Sequence, residues 1–126
     1  MSDFITIPLP LMTLNQYTSK QRVNHYVGNK AKRDCTNKCS FHISKSMREG
    51  FTMDTPVKLK FVWYYKNKRQ DPDNIAFQKK FILDGMIKAK LIKNDGWSQI
   101  TGFVDEFKID KKNERVEIYK VYEEVM

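Results

Sequence analysis

The sequence predicts one α/β (α+β) domain over residues 1–126, a mixed sheet of about four strands with two main helices against it. Three observations lead there. A chain of 126 residues fits one domain and buries roughly two-thirds of its unfolded surface, enough for a single core. Four stretches carry apolar residues in the pattern of strands and two in that of helices. Their order is strand, helix, strand, helix, strand, strand.

Phe4 to Leu9 opens the chain as a strand, with Ile5 and Ile7 alternating with Thr6 and Pro8, and the prolines Pro8 and Pro10 end it. Thr13 to Asn29 is polar and reads as a long loop or short irregular elements, with Asn15, Arg22, His25 and Lys30 near one another. Ala31 to Met47 reads as a helix: Ala31, Cys35, Cys39, Ile43 and Met47 form one apolar stripe, and Gly50 suits its end. In Pro56 to Tyr65, Val57, Leu59, Phe61, Trp63 and Tyr65 occur at every second position, as in a half-buried strand. A basic loop follows, Lys66-Asn67-Lys68-Arg69-Gln70. Asp73 to Ala89 reads as the second helix, with Pro72 before it, Asp73 or Asn74 as cap, and Ile75, Ile82, Leu83 and Met86 on its apolar face. Asn94-Asp95-Gly96 is a turn signal. Ile100 to Ile109 and Arg115 to Tyr122 read as two strands of a hairpin joined through Lys111-Lys112-Asn113.

The totals narrow the function. A net charge of +8 favours an anionic partner such as nucleic acid. No apolar run approaches the ~20 residues that span a bilayer, so no membrane partner is expected. The start, Met1-Ser2-Asp3-Phe4, lacks the pattern of a secretory signal, which predicts an intracellular protein. Cys35 and Cys39 lie one helical turn apart with His42 nearby, but structural zinc takes four ligands, and buried free thiols are the expected state.

The chemistry gathers around Asp71-Pro72-Asp73-Asn74. The residue before a proline is extended, and extended residues two apart point the same way, so Asp71 and Asp73 share one pole at the end of a strand. Two adjacent carboxylates repel unless a cation lies between them, and carboxylate oxygens are what Mg²⁺ prefers. The plain alternative is that they cap a helix. The surrounding charge bears on the choice: Lys58 to Lys93 holds ten basic residues and three acids, and two of the acids touch the run Lys66 to Arg69. Basic side chains that bind phosphate beside carboxylates that hold metal are what phosphodiester hydrolysis needs. Lys80 lies about 10 Å along the helix from Asp73, within reach of the phosphate, with Lys79 as its rival. Asp84, about 16 Å along, is expected to pair with Lys80. Asp95 returns to Asp71 and Asp73 only by a nearly straight run of about 20 Å. A simpler arrangement has Asp95 complete the site of a two-fold-related subunit. Trp63, Tyr64, Tyr65, Phe77 and Trp97 are open to core packing or base stacking, with Trp63 expected in the core.

Lys68-Arg69-Gln70-Asp71-Pro72-Asp73-Asn74, then Lys80-Phe81-Ile82-Leu83-Asp84-Gly85-Met86, then Asn94-Asp95, resembles the core of RusA-type Holliday-junction resolvases of bacteria and prophages. The likeness is specific over about thirty residues and extends loosely to the region around Asn15. It implies a Mg²⁺-dependent homodimer, with Mn²⁺ as a possible substitute, that resolves four-way junctions by paired nicks through metal-activated water attack. It implies a cytoplasmic setting in a bacterial host, possibly from a prophage gene. It also implies Asp71, Asp73 and Asp95 as metal-holding catalytic acids and Lys80 as the catalytic lysine. Lys66, Lys68, Arg69, Asn74, Lys79, Arg22 and Lys30 are the candidate DNA contacts. Two departures stand out: extra residues between Asn74 and Lys80, and one acid where the family often has two, at Asn94-Asp95. The competing expectation is a non-catalytic basic DNA-binding protein of the same fold.

Overall fold

The central strand of the sheet is the most apolar, as the alternation in Val57–Tyr65 requires. In the computed structural model, which describes residues 3–122, β1 (Phe4–Pro8), β2 (Val57–Tyr65), β3 (Ile100–Ile109) and β4 (Arg115–Val121) form one sheet in the order β1-β4-β2-β3. β2 pairs parallel to β3 and antiparallel to β4, and β4 pairs antiparallel to β1, so the sheet is mixed as expected. Met1, Ser2 and residues 123–126, part of the expected domain span, lie outside the described residues.

One face of the sheet carries the core. Ile5 and Ile7 of β1, Leu59, Phe61 and Trp63 of β2, and Val116 and Ile118 of β4 are buried there. They meet Cys39 and Ile43 of α2 (His25–Arg48) and Phe81, Ile82 and Met86 of α4 (Lys79–Lys88). α2 and α4 cross closely at Gly85, where a Cβ would lie 2.7 Å from Cys39 Cβ and 3.0 Å from the Ser40 backbone nitrogen. The apolar stripe of Ala31 to Met47 is therefore the face α2 presents, and Gly50, at φ 103°, ends the helix in the left-handed conformation that glycine adopts freely.

Three expectations need correction. Thr13 to Asn29 is helical, not irregular: α1 (Leu14–Val23) is followed after one extended residue, Asn24, by the start of α2. Thr13 and Gln16 close a capping box on α1, and the Asn24 side chain accepts from the Val27 N–H to start α2. The second helix is not continuous: α3 (Pro72–Ala76) ends and α4 begins after Phe77 and Gln78. The fully buried Gln78 side chain donates to the Ile75 carbonyl at 3.0 Å, and Lys80 and Phe81 donate to carbonyls three residues back, which tightens the chain out of the α-helical ladder.

Third, the last two strands do not form a hairpin. β2 lies between them, and the chain from Asp110 to Glu114 strides over the end of β2, about 10 Å for two strand spacings. The stride is fixed from below by an Asp110 N–H donated to the Tyr65 carbonyl at 2.8 Å. No helix among the described residues is long and apolar enough to cross a membrane.

Candidate active site

The basic loop leaves β2 directly beneath the stride. The Lys66 N–H donates to Glu114 Oε2 at 3.0 Å, and the Arg69 N–H donates to Asn67 Oδ1 at 3.0 Å. The loop backbone is therefore held while its basic side chains are not. Lys66, Lys68 and Arg69 are exposed, and their cationic ends meet no partner among the described residues.

Asp71 follows in extended conformation, φ −73° and ψ 149°, as a residue before proline must. It occupies the N-cap position of α3, yet its carboxylate takes no hydrogen bond from the helix backbone. Its side chain is exposed and has no partner among the described residues. Asp73 is exposed too, and its Oδ1 accepts from the Asn74 N–H at 2.9 Å. Capping explains part of Asp73 and none of the Asp71 carboxylate. The pair offers hard oxygen donors beside an excess of positive charge, which suits Mg²⁺ or Mn²⁺ with water completing the shell.

Asn74 has a different task from the DNA contact expected of it. It is 6 % exposed, and its side chain accepts from the Asn15 N–H at 2.9 Å and donates to Gln70 Oε1 at 2.5 Å. It ties the start of α1 to the aspartate turn. Asn15 and Gln70 are thus supporting residues, and Gln70 gave no sign of this in the sequence.

Lys79 also leaves the set of DNA contacts. Its ammonium forms an ion pair with Asp105 and lies over the rings of Phe61 and Phe103, and the same carboxylate accepts from Trp63 Nε1 at 2.9 Å. A lysine so engaged is a poor phosphate ligand. Trp63 is fully buried, as expected. Lys80 keeps an exposed ammonium and pairs with Asp84 at 3.4 Å, the i,i+4 contact anticipated for them. The break at Phe77 and Gln78 removes the single helix axis on which its reach to Asp73 was reckoned. Neither Lys80 nor Lys79 contacts Asp71 or Asp73. Arg22 is exposed near the end of α1, and Lys30 pairs with Asp34 at 3.0 Å.

Asp95 is elsewhere in the chain. Asp71 borders a hollow of about 470 Å³ lined by Trp63, Tyr65, Ile75, Phe107 and Ile109 near the end of β3. Asp95 borders a second hollow, of about 480 Å³, with Trp97, Ile100 and Phe103 at the start of the same strand. The two linings are four strand residues apart at their nearest, ~13 Å. No three His, Cys, Asp or Glu side chains among the described residues form a metal-holding group. Asp71 and Asp73 are neighbours at the start of α3, but only Asp71 is extended and Asp73 is already helical, so the shared pole expected of an extended pair is not formed, and Asp95 lies apart.

The two cysteines are free. Burial pushes the Cys39 thiol up to about 12, with Cys35 adding to the rise, as for a buried free thiol. No protein-family model matches the chain, and no curated protein matches it.

Proposed function

We propose that this chain is a Mg²⁺-dependent endodeoxyribonuclease that cuts branched DNA such as four-way junctions. The observation that carries the reading is an uncapped carboxylate, Asp71, two residues beyond three cationic side chains that have no partner among the described residues. A fold that needed Asp71 only as a cap would use its oxygens on α3. One that needed the lysines only for solubility would not hold their loop from beneath through Glu114.

In this reading Lys66, Lys68 and Arg69 bind the phosphates flanking the scissile bond. Asp71 and Asp73 hold the divalent cation, which when bound polarises the phosphodiester and promotes attack by water. Asn74 ties the aspartate turn to Gln70 and to the start of α1, and Lys80, exposed though paired with Asp84, is the basic residue of α4 that would approach DNA. Nicks with 5′-phosphate and 3′-hydroxyl ends are the expected products. The RusA-type likeness of Lys68 to Asp95 supports the same reading and, with it, a proposed setting in the cytoplasm of a bacterial host, or of a host carrying the gene on a prophage.

The lack of a third acid beside the pair, among the described residues of the chain, favours a second reading: a non-catalytic basic DNA-binding protein. One assay separates them. Labelled four-way junction and linear duplex are incubated with wild type and Asp73→Asn, each in Mg²⁺ and in EDTA. Paired, metal-dependent nicks on the junction that vanish in Asp73→Asn are expected. Tight junction binding without nicks in Mg²⁺ or Mn²⁺ would establish the binding reading.

A further inference from the structure

The hollow beside Asp71 has an apolar floor and a charged rim. Trp63 lies opposite Phe107 and Tyr65 opposite Ile109 in the β2–β3 register, and strand alternation sets all four on the face that carries the core. From the helical layer only Pro72 and Ile75 of α3 line this end of the face. The core is open there: Phe107 is 41 % and Ile109 44 % exposed, beside a fully buried Trp63. The volume, about 470 Å³, falls within the ~300–1,000 Å³ of small-ligand sites and is too small for a duplex.

The polar groups around it are mostly donors. Lys68 and Lys108 stand on the rim, both exposed and without partners among the described residues. Asn67 and Gln70 use their side-chain oxygens on the Arg69 N–H and the Asn74 amide, which leaves their amide nitrogens. Tyr65 supplies the directional group. Its hydroxyl oxygen accepts from Gln78 Nε2 at 2.7 Å. The same nitrogen donates to the Ile75 carbonyl at 3.0 Å, so turning the amide would set two oxygens together. The Tyr65 proton therefore has no acceptor among the described residues. Burial raises this phenol above its ordinary range, so the proton stays on at neutral pH. An apolar peptide would leave these donors unanswered, and a bare phosphate would leave Phe107 and Ile109 in water. A nucleotide, with a flat base, carbonyl oxygens and a negative charge, answers both.

We propose that the hollow receives one unpaired nucleobase of the DNA, laid against Phe107 and Ile109, with a carbonyl oxygen of the base accepting from Tyr65 and the neighbouring phosphates on Lys68 and Lys108. Stacking on an aromatic ring tolerates every base, and the hydroxyl adds a preference for thymine or guanine, whose major-groove edges carry carbonyl oxygens. A paired base must first be extruded, at a cost that an unpaired base at a branch does not bear. The hollow thus selects branched over linear DNA, and Asp71 on its lining sets the base next to the acidic pair. The proposal rests on the DNA-binding part of the reading above and not on catalysis.

Fluorescence anisotropy of the full chain, in EDTA so that nothing is cut, tests it with two labelled single strands of equal length: oligo(dT), and an abasic strand with the same phosphates. Oligo(dT) is expected to bind wild type at least tenfold tighter. Phe107→Ala, with thermal unfolding to confirm that it is folded, should bring oligo(dT) to within about threefold of the abasic strand and leave the abasic affinity unchanged. Tyr65→Phe keeps the ring and removes only the O–H, and should weaken oligo(dT) about threefold and the abasic strand not at all. Equal binding of the two strands by wild type, or a base preference that survives Phe107→Ala, overturns the base site and leaves the nuclease reading standing. An unchanged oligo(dT) affinity in Tyr65→Phe overturns the carbonyl contact. A chain that binds neither strand nor the four-way junction overturns the DNA reading itself.

Discussion

Replacing Asp71 by Asn keeps the shape of the side chain and removes its charge, so the loss can be worked out for each role. An aspartate that caps a helix is worth about 1 kcal/mol, but that value belongs to a hydrogen bond that Asp71 does not make. What remains is the attraction of an exposed charge to a short helix, about 0.3–1 kcal/mol. The cationic loop adds about 0–1 kcal/mol in water, and asparagine is itself a good N-cap. The expected stability change is therefore below about 1 kcal/mol, a shift in Tm of no more than about 5 °C for a domain of this size. DNA binding should improve. One negative charge removed at about 7 Å from a phosphate relieves about 0.6 kcal/mol of repulsion in water, close to threefold in affinity and more at low salt. Nicking should fall at least a hundredfold, about 2.7 kcal/mol of lost transition-state stabilisation. Thermal unfolding, a junction-binding titration and single-turnover nicking of the same preparation give the three numbers. A Tm lowered by 8 °C or more with nicking intact would show that the carboxylate is structural and would refute the reasoning.

Asn74→Ala, three residues on, should do the reverse. It removes the hydrogen bonds to the Asn15 N–H and Gln70 Oε1, which water can partly replace at these exposed residues, and costs about 1–2 kcal/mol, with loss of hydrogen-exchange protection at Asn15 as the local sign. Gly85→Ala should cost about 1–3 kcal/mol in denaturant unfolding, because the new methyl meets Cys39 Cβ and the Ser40 backbone where α2 and α4 cross. Stability should also fall in alkali. Burial, and an O–H donated to Glu117, push Tyr119 up to about 12 from 10.0, so the folded state favours the neutral phenol. This contribution is complete below pH 10 and is lost between pH 10 and 12, and Tyr119→Phe should flatten that part of a Tm-against-pH profile.

What the sequence disclosed follows from how local each cause is. The alternation of β2 and the stripe of α2 report burial directly, and both elements appear as read. α1 buries no residue, so it left no periodicity to find, although Thr13 and Gln16 spelled its capping box and Asn24 its end. The break between α3 and α4 depends on a glutamine whose side chain turns back to Ile75, and nothing in its neighbours foretells that choice. The stride over β2 depends on a strand far away in sequence filling the gap between β3 and β4. In the site, Pro72 made the geometry of Asp71 legible. Lys79 was misread because its partner, Asp105, is 26 residues away.

The placement of the cationic loop favours function over convenience. Lys66, Lys68 and Arg69 are within a few residues of Asp71 and Asp73, and a loop free to relax would pair them. It does not relax, because Glu114 holds its first N–H, Asn67 holds Arg69, and Asn74 holds Gln70 and the N-terminal helix against the aspartate turn. Each of these contacts is made by backbone or by an uncharged side chain, except the single carboxylate of Glu114. The charged ends are left to solvent on both sides of the turn. Keeping like charges together and opposite charges unpaired lowers stability, and proteins hold such arrangements where a ligand will complete them. A polyanion with a divalent cation satisfies both halves at once: phosphates answer the lysines and the arginine, and the metal answers the aspartates. Neither partner alone does so, which is why the two should bind this protein cooperatively.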